Sequence, residues 1–92
     1  MIKHIVFWRM KKEANGNDMY ENIRIAAEKL DAVAKQFPAL KSLTHHTCIF
    51  SGAHYWDYVE EMELDDLDSL KAWAQFPPHK ELHDFVDSIR EE

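Results

Sequence analysis

The opening run Met1-Ile2-Lys3-His4-Ile5-Val6-Phe7-Trp8-Arg9-Met10-Lys11 constrains the fold more than any other segment. Read as a strand over 2–11, its side chains alternate between two faces. Ile2, Val6, Trp8 and Met10 then share one face with His4, while Ile5 and Phe7 share the other with Lys3 and Arg9. A strand apolar on both sides needs cover on both sides. At 92 residues the chain is a single domain, 1–92, too small to build a deep core alone. A second copy of the same sheet is the economical cover, so the sequence predicts a homodimer joined through its sheet faces.

The remaining segments place helices on the other face. Asn15-Gly16-Asn17-Asp18 reads as a turn, and Asp18 with Glu21 as a helix N-cap and its reciprocal partner. Met19, Ile23, Ala26, Ala27, Leu30, Val33 and Phe37 recur at helical spacing, and Pro38 closes that segment. Residues 42–50 read as a strand, Ser51-Gly52-Ala53 as a tight connection, and 56–64 as a third strand. Asp65 or Asp66 caps a short helix with Leu67, Leu70 and Trp73, and Pro77-Pro78 breaks it. A last helix carries Leu82, Phe85, Val86 and Ile89 on one stripe. The order β-α-β-β-α-α is that of an α+β chain, the first three strands of a ferredoxin-like antiparallel sheet with helices on one face.

Composition excludes several functions. A net charge of -6 with eleven scattered basic residues argues against nucleic acid. The lone Cys48 allows no intrachain disulfide and suits a reducing, cytoplasmic setting, where it reads as a small core residue. No apolar run approaches membrane-spanning length, and the N-terminal segment lacks the continuous apolar stretch of a signal peptide. Among the six histidines, His79 and His83 are four apart and share a helix face, whereas His45 and His46 point to opposite faces of a strand. With no third ligand in view, neither a metal nor any other cofactor is expected.

The order and separation of several short matches resemble the stress-responsive A/B barrel (Dabb) family. They are Lys3-His4-Ile5-Val6, Phe37-Pro38, Trp56-Asp57, Leu70, Ala72-Trp73 and Pro77-Pro78-His79. The resemblance implies a dimeric α+β barrel with a cleft between each sheet and its helices. One member type, a plant polyketide cyclase, uses two histidines and a tyrosine there. By position those histidines fall on His4 and His79, and the tyrosine falls on Trp73. An indole N–H donates only, so Trp73 cannot take a phenol's acid–base role. Family members commonly add a fourth strand after the last helix; here it is apparently missing, as the sequence ends at Arg90-Glu91-Glu92.

Glu60 is the residue least expected where it stands. Alternation puts it with Trp56, Tyr58, Met62 and Leu64, the apolar side of its strand, where family members usually carry an apolar residue. A buried carboxylate must be paired or have its pKa raised, and His4 on the adjacent strand is its expected partner. His4, His79 and Glu60 are therefore the candidate catalytic residues, with Trp8, Tyr58, Trp73 and Phe76 as candidate ligand-binding walls. The chain then reads as a stress-responsive-type homodimer, non-catalytic or binding a small apolar ligand between sheet and helices. The alternative is a cofactor-free acid–base enzyme, of cyclase or isomerase type, acting on a small carbonyl or polyketide-like compound.

Overall fold

A computed structural model describes residues 1–50 and 54–92; the connection read at Ser51-Gly52-Ala53 lies outside the described residues. The elements run β1 (Ile2–Trp8), β2 (Glu13–Ala14), β3 (Asn17–Asp18), α1 (Met19–Ala34), β4 (Leu40–Thr47), β5 (Tyr58–Leu64), α2 (Leu67–Gln75) and α3 (Pro77–Ile89). β5 is the central strand of an antiparallel sheet ordered β1-β5-β4. All three helices cover one face, in the ferredoxin-like α+β arrangement.

Register fixes what each face carries. Towards the helices lie the rows Ile2–Leu64–Leu40, His4–Met62–Leu43, Val6–Glu60–His45 and Trp8–Tyr58–Thr47. Leu64, Met62, Tyr58 and Trp8 are buried there against Leu30 of α1, Trp73 of α2 and Leu82, Val86 and Ile89 of α3. The opposite face carries Lys3–Glu63–Ser42, Ile5–Glu61–Thr44 and Phe7–Val59–His46. None of the described helices covers it, and Ile5 and Phe7 remain 41% and 51% exposed.

Local chemistry sets the boundaries. Asn15 and Gly16 have φ of 55° and 81°, the paired left-handed conformations of a two-residue hairpin, so the turn is these two residues, and Asn17 and Asp18, read as part of it, form β3. Asp18 caps α1 by accepting from the Glu21 N–H at 2.8 Å, but the Glu21 carboxylate turns to Arg24 instead of back to the cap. The helix stops at Ala34, short of Phe37, because the next bonds tighten to i→i−3, Gln36 N–H to Val33 O and Phe37 N–H to Ala34 O. Asp66 caps α2. Phe76, forced extended before proline, ends that helix, and Pro77 opens α3 where no N–H is needed.

Three strands are shorter than their sequence pattern, and β1, read over 2–11, ends at Trp8, with Met10 making only an isolated bridge to Arg90. β5 starts at Tyr58, not Trp56, because the Asp57 carboxylate is committed to the Met10 N–H at 2.8 Å. β4 spans Leu40–Thr47 where 42–50 was expected, with a bulge between Leu40 and Ser42. Among the described residues the sheet has three strands, and β1 is at an edge. The segment after β1 is nevertheless paired: Met10 bridges Arg90, Lys11 N–H donates to Ile89 O, and Arg9 exchanges backbone bonds with Glu91 and Glu92.

Candidate functional site

Between the sheet and the helices lies a space of about 10 Å³, lined by Trp8, Leu30, Glu60, His79, Leu82, His83 and Val86. That is the lower limit for one water molecule. Strand alternation sends Trp8 and Glu60 into it, and helical spacing brings His79, Leu82, His83 and Val86 to the same side of α3. Glu60 is 7% exposed. The Trp8 Nε1–H donates to Glu60 Oε1 at 3.2 Å. Burial pushes the Glu60 carboxyl up to about 7, and the Trp8 bond pulls it only partly back.

The histidines are perturbed in the opposite sense. Burial, then the charges of His83 and His4, lower His79 to about 4, and the Trp73 carbonyl opposes this. Burial also lowers His4. The His79 ring stacks on Trp73 at 4.3 Å and meets His83 edge-on at 4.5 Å. Among the described residues, two buried ring nitrogens in this stack, Trp73 Nε1 and His79 Nδ1, make no well-aligned hydrogen bond, although the Trp73 carbonyl is near enough to His79 to favour its charged form. Such groups are costly when left unpaired, so they mark where a polar atom of water or ligand fits.

The structure brings some of the expected site residues together and separates others. Glu60 and His79 line one space, and Trp8 joins them. His4 shares their face but sits beside Met62, one row away from Glu60. The expected Glu60–His4 pairing is corrected: Glu60 bonds Trp8, and His4 is shifted down by burial instead of up by a carboxylate. Val6 stands directly opposite Glu60, leaving His4 and Trp8 as the two diagonal neighbours, and strand twist favours one diagonal over the other.

Trp73 is buried, in edge contact with Phe37 and stacked on Phe76, so these two aromatics build a wall behind His79. Tyr58 does not line the space; its hydroxyl turns to His45 Nδ1. The sequence did not single out His83 or His45 as site residues. The i,i+4 spacing to His79 was the available signal for His83, and the inward parity of His45 was the signal for the other. Among the described residues no three potential ligands converge on a metal-sized site. Among the described residues no helix is long and apolar enough to cross a membrane.

Residues 2–92 match the family model described as Stress Responsive A/B Barrel Domain. No curated protein sequence matches the chain. A dimeric protein of ferredoxin-like fold from Bacteroides fragilis superposes with a TM-score of 0.81 at 18% identity, covering 98% of this chain and 86% of that one. A dimeric ferredoxin-like protein from Thermobifida fusca gives 0.75 at 22%, covering 98% and 81%. An Arabidopsis thaliana protein gives 0.79 at 11%, covering 98% and 85%. At these identities the likeness establishes the fold.

Proposed function

The chain belongs to the stress-responsive A/B barrel family, and from that membership and the cleft geometry we propose a homodimeric barrel that takes up a small, largely apolar molecule. The molecule carries a hydroxyl or carbonyl group and lies between the sheet and α3. The observation that carries this reading is a set of unmet polar demands in and beside this small space, whose lining mixes apolar side chains with Glu60, His79 and His83. Glu60 is buried with one donor, the Trp8 indole, and among the described residues the Trp73 Nε1–H has no acceptor and His79 Nδ1 makes no hydrogen bond. A structural core would favour an apolar residue at position 60, since burying a carboxyl costs free energy. The space is far below the several hundred Å³ of a preformed ligand pocket, so binding requires α3 to move outward.

The dimer half of the proposal rests on the helix-free sheet face. Ile5, Phe7 and Trp56 are exposed there; Trp56, which alternation put on the inner face with Glu60, precedes β5 and turns to the outer face instead, in ring contact with Phe7 at 6.1 Å. Two of the structural relatives above are described as dimeric. A stable interface between two such faces should bury about 2,000 Å² or more in total.

Calorimetric titration with small naphthols and aryl ketones tests the ligand half. Wild type should bind with a negative heat-capacity change, and His79→Phe, which keeps the ring stack but removes the nitrogens, should bind about tenfold more weakly. Equal affinity in both proteins would contradict the assignment. The second reading, an acid–base enzyme on a small carbonyl compound, is favoured by one observation. A carboxyl near pKa 7 faces a histidine kept neutral, an arrangement suited to abstracting and returning a proton. Deuterium exchange next to the carbonyl of α-tetralone, present in wild type and lost in Glu60→Gln, would favour this second reading over simple binding.

A further inference from the structure

A second string of polar side chains crosses the inner face of the sheet on the side away from α3. His45 Nε2 bonds Asp31 Oδ1 at 2.7 Å, and His45 Nδ1 bonds the Tyr58 hydroxyl. The His45 and Tyr58 rings lie nearly parallel, 9° apart. Asp31 stands on α1 with 55% of its side chain exposed, whereas Tyr58 is 1% exposed. The string therefore runs from solvent to the interior. Its inner end is beside Glu60: His45 is directly opposite Glu60 in register, and Tyr58 precedes Glu60 by two residues on the same face.

We propose that Asp31, His45 and Tyr58 form a proton path between solvent and the buried Glu60 carboxyl. The proposal deepens the reading of Glu60 as the polar group of the cleft and rests on it. Glu60 needs such a path because its hydrogen-bond partner among the described residues, the Trp8 indole, is a donor only and cannot relay a proton. Each member of the string can both lose and gain one. With His45 neutral and its proton on Nε2, Tyr58 donates to Nδ1 and Nε2 donates to the Asp31 carboxylate.

On discharge, Glu60 gives its proton to the Tyr58 oxygen, directly or through one water. Tyr58 passes its own proton to His45 Nδ1, and His45 releases the Nε2 proton to Asp31 and then to water. The net change is one proton moved from Glu60 to solvent, leaving His45 in the other tautomer; reverse transfer or ring rotation resets it. Among the described residues, His79 and His83 on α3 line the same space as Glu60, and His4 lies one row away on β1. Those on α3 close the ligand side, so the path leaves the cleft free for an occupant. Electrostatic coupling between Glu60 and Tyr58 accords with their closeness: the Glu60 charge helps to raise the Tyr58 hydroxyl's pKa, after burial itself.

The test is carboxyl ¹³C NMR of glutamate-labelled protein across the Glu60 titration, without any ligand. In wild type, Glu60 should show one averaged resonance that moves with pH. In Tyr58→Phe its proton exchange should slow by about a hundredfold, the usual worth of a positioned proton-transfer group, so the resonance broadens or splits. Asp31→Asn, at an exposed position, should slow it in the same direction and supplies the answer if the core variant fails to fold. A Glu60 that titrates near its usual low value in wild type would refute the functional reading of Glu60 and the path with it. A Glu60 that titrates near neutrality with unchanged exchange in the folded variants would refute the path alone.

Discussion

Trp8 and Glu60 meet diagonally across β1 and β5, the indole Nε1–H donating to the carboxylate at 3.2 Å inside a space with room for about one water. The bond lowers the Glu60 pKa against the effect of burial. Trp8→Phe should therefore move the Glu60 midpoint further up from about 7, read by carboxyl NMR. Stability should fall by about 2 kcal/mol near pH 7, from a lost charge-assisted bond and a smaller ring. A midpoint that stayed put would show that the indole bond does not form in solution.

Glu60 and His79 should drive stability in opposite directions with pH. Glu60 is raised from 4.5 to about 7, so the folded chain keeps a proton that the unfolded chain releases. Its contribution is full below the unfolded value and is lost as pH rises through that window. His79 is lowered from 6.5 to about 4, so its contribution is full above 6.5 and is lost as pH falls towards 4. Where the windows overlap the two offset, and the wild-type denaturation midpoint should be nearly flat. Glu60→Gln should expose a profile rising with pH, and should be more stable than wild type above pH 7 by up to about 3 kcal/mol. Parallel profiles for the two proteins would refute the shift at Glu60.

The sheet face without helices should carry the dimer. Phe7→Glu places a charge among Ile5, Val59 and Trp56, on the outer side of a strand whose inner side is unaffected. Light scattering should give a dimer for wild type and a monomer for this variant at micromolar concentration. A wild-type monomer would contradict the proposal, and so would a variant that stayed dimeric.

The β2–β3 hairpin separates backbone strain from crowding. A Cβ at Gly16 would meet nothing within 4 Å, yet φ is +81°. Gly16→Ala should therefore cost about 1 kcal/mol through backbone conformation alone, measurable by chemical denaturation. A neutral substitution would mean that the turn relaxes to another type.

The legible parts of this fold are those where one period decides. Two-residue alternation in β1 sorted His4, Val6 and Trp8 from Ile5 and Phe7, and the same parity put Glu60 on the inner face. Helical spacing gave α1 and α3, and the proline pair gave the break between α2 and α3. The Glu60 partner was not legible, because parity leaves two diagonal neighbours and the choice belongs to register and twist. The Asp31–His45–Tyr58 string was hidden for a related reason: it joins a helix to two strands, and sequence spacing says nothing of how α1 sits over β4. Strand ends were misread where single side chains intervene, as Asp57 does by taking the Met10 N–H.

A ligand-binding cleft requires that the space between the sheet and α3 admit a small molecule. The most direct measurement follows the indole N–H signals of Trp8 and Trp73 and the ring signals of His79 while 1-naphthol and 1-acetylnaphthalene are titrated in. Saturable shifts are expected at Trp8, Trp73 and His79, together with α3 backbone amides around Leu82 and Val86, with at least one of the two probes. Saturable shifts confined to the outer face around Phe7 and Trp56, or none at these rings with either probe, would contradict binding in this cleft.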